Sequence, residues 1–447
     1  MKLTLRAATK TAALAACAAV LVTASLAAQS PVDAAFQRFW DAKSPAEAGK
    51  QVEAILKTGI SFDEAVRRLK TGRTYGPQKA GVQMTTNKSG GLEHYYAVNV
   101  PASYDPAKKY QVRFQLHGGV MGRNTNQPRN AGDIGNLAGP AEQFYVLPYG
   151  WYDAPWWSED QVLNFATIVD SLKRTYNIDE NRVAIAGVSD GATGAYYIAM
   201  QDTTPYASFL PLNGFIMVLS NPDTGIRAQL HPNNIRNKPW FAVNGGRDRL
   251  YPIAAVEPYL KHLMKSGVSI EYHPQPDGEH NTAWWPEMKG PFEKFVAEHP
   301  RTPHPATLTW ETSDLAHNRA HWLVIDRLGK SGNDATNLPD ANEITLDAEG
   351  LPNIRQPLFD RRQRSGRVDL TRTGNDVEAI SRGVLEFTLL VSADAFDLSK
   401  PIKVTVNGKT MFDGQVKPSA ATLLKWAARD NDRTMLYAAE IPIKLNR

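Results

Sequence analysis

Cysteine is almost missing from this chain: 447 residues contain one, Cys17, in an apolar stretch near the start. Beyond that stretch no disulfide, thiolate nucleophile or cysteine-ligated metal is available, so stability has to come from core packing. A metal site is not expected, since no helical segment carries a histidine pair at ligand spacing, and neither is any other cofactor. Charge of one sign is scarce too. Fifty Lys and Arg oppose 46 Asp and Glu, for a formal +4. Three of those cations, Lys2, Arg6 and Lys10, precede the apolar run, and without them the balance is +1. That excludes a nucleic-acid partner held by a basic surface. Long apolar runs are absent after residue 28, so no later segment is expected to span a bilayer.

The leading segment reads as a secretory signal over residues 1–28. Its cations come before an Ala/Leu/Val run, and Ser25-Leu26-Ala27-Ala28 supplies small residues for cleavage. A secreted or periplasmic protein is the expectation. Leu14-Ala15-Ala16-Cys17 also fits a lipidation box, a weaker reading because hydrophobic residues follow where a polar tether belongs. The remaining length and a 42% hydrophobic content suffice for two or three domains with buried cores.

Chemistry enters at residues 183–191. Val183-Ala184-Ile185-Ala186 reads as a buried strand that runs into Gly187-Val188-Ser189-Asp190-Gly191, with a helix-forming segment directly after it. A tight strand-to-helix turn of this kind strains the serine backbone and packs strand on helix closely, and both demands call for glycine. Upstream, Tyr110–Leu116 reads as a strand entering His117-Gly118-Gly119, where bare backbone N–H groups can face an oxyanion. Downstream, Pro239–Val243 opens into Asn244-Gly245-Gly246-Arg247-Asp248 and Tyr251-Pro252, and Val268–Tyr272 leads to Asp277-Gly278-Glu279-His280. The chain order is therefore Ser189, Asp248, His280.

On these motifs residues 90–298 resemble the secreted esterase branch of the α/β-hydrolase superfamily, close to polyhydroxybutyrate-depolymerase-like and feruloyl-esterase-like enzymes. The run Tyr176-Asn177-Ile178-Asp179-Glu180-Asn181-Arg182-Val183 into the elbow and the 278–285 stretch carry the likeness. The lack of cysteine departs from it. The resemblance implies an α/β fold, a mostly parallel sheet flanked by helices, and a serine ester hydrolase. Ser189 would be the nucleophile, His280 the base, and Asp248 the residue that orients the base. The backbone N–H groups of Asp190 and Gly119 would form the oxyanion hole. Asp277 and Glu279 adjoin His280 too closely in sequence to fold back onto its ring, and Asp190 reads as an exposed polar neighbour.

Flanking segments complete the organisation. Ser44-Pro45-Ala46-Glu47 and Ser61-Phe62-Asp63-Glu64 are capping signals for two short helices ending at Gly59 and Gly72, within an N-terminal helical segment, 29–80. These should pack on the hydrolase body (81–300) as a brace or, less simply, a lid. After the proline-punctuated linker 299–305, strands at 308–310, 321–325, 384–391, 402–406 and 409–412 predict a small antiparallel β-sandwich-like domain over 301–447. Asn407-Gly408 should form a hairpin turn. Residues 329–366 read as a long exposed loop carrying Arg361-Arg362-Gln363-Arg364. Trp151, Trp156, Trp157, Trp284 and Trp285 follow strand ends at the catalytic edge, which points to an aromatic cleft for small or polymeric hydrophobic esters. A prolyl-oligopeptidase-like peptidase and a non-catalytic glycan-binding protein are the competing readings.

Overall fold

The computed structural model describes residues 30–122, 142–329, 340–346 and 354–445. The signal segment and Cys17 lie outside them. An eight-stranded sheet forms the centre of the molecule. Its strands are β1 (Gly81–Ser89), β2 (Leu92–Val100), β3 (Tyr110–Leu116), β4 (Phe144–Pro148), β5 (Ile178–Val188), β6 (Ser208–Leu212), β7 (Trp240–Gly245) and β8 (Ile270–Gln275). They lie in the order β1-β2-β4-β3-β5-β6-β7-β8. β2 is antiparallel to both its neighbours, and every pair from β4 through β8 is parallel. The strands from β3 to β7 are buried on both faces, which is why they read as continuous apolar runs.

Three helices precede the sheet: α1 (Pro31–Asp41), α2 (Pro45–Leu56) and α3 (Phe62–Thr71), each with a serine N-cap accepting from a backbone N–H. Helices α4 (Glu159–Thr175), α5 (Asp190–Gln201) and α6 (Ile253–Lys265) connect parallel strands, and α7 (Trp285–Glu298) follows the last of them.

The C-terminal region has strands β9 (Thr307–Thr312), β10 (Arg319–Ala320), β11 (Leu323–Leu328), β12 (Glu343–Leu346), β13 (Ile354–Pro357), β14 (Gly366–Thr373), β15 (Asp376–Arg382), β16 (Val384–Val391), β17 (Ile402–Val406), β18 (Lys409–Gly414) and β19 (Ala439–Lys444), with helix α8 (Ala420–Asp430) before the last. A five-stranded sheet, β18-β17-β15-β14-β9, and a four-stranded one, β10-β11-β16-β19, share one apolar core. Trp310, Val368 and Val404 meet Ile325, Phe387 and Ile441 there. The pairing is antiparallel throughout except β15 with β17, which is parallel. Asn407 and Gly408 both have positive φ, 49° and 78°, as a two-residue hairpin turn requires.

Two expectations are corrected. The N-terminal helices put their apolar faces not on the hydrolase body but on α8: Phe36, Phe39, Ile55 and Leu69 share a core with Leu423, Leu424 and Ala427. The 329–366 stretch, where described, is an exposed loop only over 360–364. β12 and β13 form a hairpin, and Ala341, Ile344, Leu358 and Phe359 are buried in the core of the central sheet. Asn342 holds this turn by bonding both the N–H and the C=O of Phe359. Arg361 pairs with Asp340 at 2.7 Å.

The linker is anchored as well. Arg301, fully buried, donates to Asn181, the Thr204 carbonyl and Asp432, and Lys173 also pairs with Asp432. Nearby, the His304 ring lies edge-on to Tyr437, and burial pushes its pKa down to about 4. A base depressed in the fold binds a proton first in the unfolded chain. Stability should therefore fall as pH drops from about 6.5 toward 4, by about 2 kcal/mol between 6.5 and 5. In His304→Gln that part of the decline should vanish; equal Tm losses from pH 7 to 5 in variant and parent would contradict the assignment.

Candidate active site

The serine turn follows from steric necessity. Ser189 sits at φ 56°, ψ −116° between β5 and α5, a backbone region that L residues rarely adopt. A Cβ on Gly187 would lie 2.1 Å from the Gly191 carbonyl oxygen, and one on Gly191 2.2 Å from that of Leu116. Only glycine lets the turn close against β3.

The loops after β7 and β8 converge on this serine. His280 Nε2 lies 2.8 Å from Ser189 Oγ, and His280 Nδ1 lies 2.7 Å from Asp248 Oδ2. Asp248 is buried, and its other oxygen accepts the backbone N–H groups of Leu250 and Tyr251, each at 2.8 Å. With that carboxylate accepting, Nδ1 carries the proton and Nε2 is free to take one from serine. Gly245 and Gly246 allow the two loops to touch, because a Cβ on either would lie 2.4 Å from a backbone carbonyl of the histidine loop. Asn213, after β6 with φ 48°, donates to the Asn281 carbonyl and steadies the same loop. Asp277 pairs with the exposed Arg247 and not with His280.

The loop that carries Gly118 and Gly119 runs beside the serine. A Cβ on Gly118 would stand 3.7 Å from Ser189 Oγ, and Gly119 follows at φ 68°. The loop is braced from behind: the Trp156 indole N–H donates to the His117 carbonyl, and Gly150 N–H donates to His117 Nε2, leaving His117 Nδ1–H to donate to the Gly118 carbonyl. Asp190 is not merely an exposed neighbour. It is half-buried, and its carboxylate accepts the Val120 N–H at 2.8 Å, tying elbow to loop. Asp190→Ala should lower kcat by about 10–100-fold, less than outright loss of an oxyanion donor. Asp190→Asn, which keeps an acceptor, should retain most activity, and equal losses in the two variants would remove the clamp from the account.

The tryptophans do not form the expected cleft. Trp151, Trp156, Trp157 and Trp284 are buried. Trp156 fills the space over Gly150 and Gly194, Trp157 donates to the Thr224 carbonyl, Trp151 packs on His94, and Trp284 joins the core of α7. Sequence position placed them correctly at strand ends, but rings that size there serve as packing for the loops. Only Trp285 keeps part of its surface in solvent. Two exposed apolar side chains lie in the same loops, Met121 two residues after Gly119 and Leu250 two residues after Asp248, 41% and 59% exposed, which no periodic pattern singles out. His317 and His321, four residues apart, are not on one helix. They bond separately, to Glu159 and to Lys238 with the Pro303 carbonyl.

Strand order, a single antiparallel second strand and a strained serine between β5 and α5 give this chain the α/β-hydrolase fold. Within it the likeness runs to esterases. No family model matches the chain. A curated relative, the bifunctional acetylxylan esterase/xylanase XynS20E of Neocallimastix patriciarum, is 26% identical over 259 residues, 56% of this chain and 36% of that protein. The chain thus spans about a third of that relative's length. Among solved structures it is similar to a thermostable esterase, with 21% identity, coverage of 49% of this chain and 63% of the other, and a TM-score of 0.38. For a ferulic acid esterase the figures are 17%, 48%, 98% and 0.38. Est1E from Butyrivibrio proteoclasticus gives 14%, 48%, 98% and 0.38. Among the described residues no helix is long and apolar enough to cross a membrane.

Proposed function

We propose that this protein is a secreted serine carboxylic ester hydrolase that works through an acyl-enzyme. The observation that carries the reading is the continuous chain Ser189 Oγ, His280 Nε2, His280 Nδ1, Asp248 Oδ2, with contacts of 2.8 and 2.7 Å. Ser189 attacks the ester carbonyl while His280 takes its proton. Asp248 holds the ring in the required tautomer and stabilises the imidazolium. The oxyanion lies against the N–H groups of Asp190 and Gly119, each worth roughly 3 kcal/mol of transition-state stabilisation. His280 then returns the proton to the leaving alcohol, and water repeats the cycle on the acyl-enzyme.

Met121, Leu250 and the partly exposed Trp285 give the rim an apolar character suited to hydrophobic or aromatic acyl groups, polymeric esters included. In this reading residues 81–300 are the catalytic unit, 1–28 a signal, 29–80 a helical brace and 301–447 an accessory sandwich. A panel of p-nitrophenyl esters of rising chain length beside prolyl p-nitroanilides tests it. Ester turnover with no amide turnover is expected. Amide turnover alone would favour a peptidase, and no turnover of either would favour a binding protein.

A further inference from the structure

The trio and the backbone donors leave one polar group beside the nucleophile without a part to play. Tyr251 ends the turn that Asp248 organises, since the carboxylate accepts its backbone N–H, so the residue that orients His280 also fixes this tyrosine. Its ring meets the His280 ring edge-on, with centroids 5.1 Å apart and planes at 84°, and rests against Phe215 at 6.0 Å. Its hydroxyl lies near the Ser189 side chain. Burial, with the Asp190 carboxylate close by, pushes the phenol up to about 12. Tyr251 is therefore a neutral donor at any pH where an imidazole base works.

In the resting site Ser189 gives its proton to His280, so a phenol beside it can address only the lone pairs of Oγ. Those lone pairs weaken as acceptors once Oγ bonds to the acyl carbon. Tyr251 approaches with the imidazole, the group that hands a proton to the departing alcohol, whereas Gly119 and Asp190 approach from the loop after β3 and from the elbow. We propose that Tyr251 is a further catalytic residue: its hydroxyl, beside His280 and Ser189, donates to the alcohol oxygen of the ester as that oxygen leaves. The proposal rests on the ester-hydrolase reading.

The step balances without a co-reactant. Ser189 Oγ bonds to the carbonyl carbon while its proton moves to His280 Nε2. The bond from that carbon to the alcohol oxygen then breaks, and the same proton passes to that oxygen. Tyr251 contributes a hydrogen bond and keeps its own proton. Such help matters when the leaving oxygen is strongly basic, as in an alkyl ester, and hardly at all for p-nitrophenolate.

Tyr251→Phe, assayed on the ethyl and p-nitrophenyl esters of one acid, provides the test. Expected is a fall in kcat/KM of about 10–100-fold on the ethyl ester and less than about 3-fold on the p-nitrophenyl ester, the size of effect seen when one donor to a developing charge is removed. Equal losses on both esters would make Tyr251 a packing residue and overturn the proposal. Unchanged turnover of the ethyl ester would overturn it too. If the parent enzyme hydrolyses neither ester, the hydrolase reading itself fails, and the proposal falls with it.

Discussion

Ser189→Ala is expected to lower kcat by about 10⁶ on whichever ester the parent enzyme turns over fastest, with KM little changed. In the proposed mechanism the magnitude follows from removing the atom that forms the covalent intermediate, while the proposed backbone donors and rim stay in place. Loss of Oγ leaves His280 Nε2 with no proton to accept, but disturbs no buried contact of the elbow, whose closure depends on glycines. Circular dichroism and Tm should match the parent. Asp248→Asn should cost about 10⁴, for a different reason. If its carbonyl oxygen keeps the two backbone N–H groups of Leu250 and Tyr251, its NH₂ must face His280 Nδ1. The ring then carries its proton on Nε2, and it can no longer act as a base toward Ser189. Kinetics of the two variants beside the parent check both figures. A Ser189→Ala protein within tenfold of the parent would remove the serine from the chemistry.

The second large effect is on folding. Gly191→Ala would place a methyl group 2.2 Å from the Leu116 carbonyl oxygen, an atom of β3 paired into the middle of the sheet. Neither partner can move without breaking a ladder, so the cost should exceed about 4 kcal/mol, the range reserved for severe core disruption. For a domain of this size that is a Tm loss of about 8–16 °C, or no soluble protein at all. Gly290→Ala serves as the control. It lies on the open side of α7, where an added Cβ meets nothing within 4 Å, and helix propensity predicts a gain of up to about 1 kcal/mol. Similar Tm values for the two variants would show that the close approach at the elbow is not what demands glycine.

These residues also show how far a sequence can be read. The elbow was legible because sterics at one turn dictate glycine at fixed offsets. The order Ser189, Asp248, His280 was legible because Ser189 and Asp248 follow buried apolar strands and His280 follows a half-buried edge strand with turn-forming residues after it. What escaped depended on partners distant in sequence. β14 holds Arg367 and Asp369 buried and paired at 2.8 Å, so its apolar alternation is hidden behind two charged residues. Helix α8 did carry a signal, with Ser419 accepting the Thr422 N–H and Leu423, Leu424 and Ala427 apolar, but its partners are helices more than 350 residues away. Tyr251 and the clamp from Asp190 to Val120 arise from loop geometry that no spacing rule encodes. The tryptophans illustrate the opposite error: correct location, but a ring large enough to line a cleft is also large enough to fill the space behind it.

The central claim is that Ser189 is a nucleophile activated by His280. Reaction of the folded protein with a fluorophosphonate, followed by mass mapping of the peptide that holds residues 183–201, tests it most directly. The account predicts one adduct per chain, on Ser189, formed rapidly in the parent and abolished in His280→Ala. An unmodified Ser189, or an adduct that forms equally fast without His280, would contradict it.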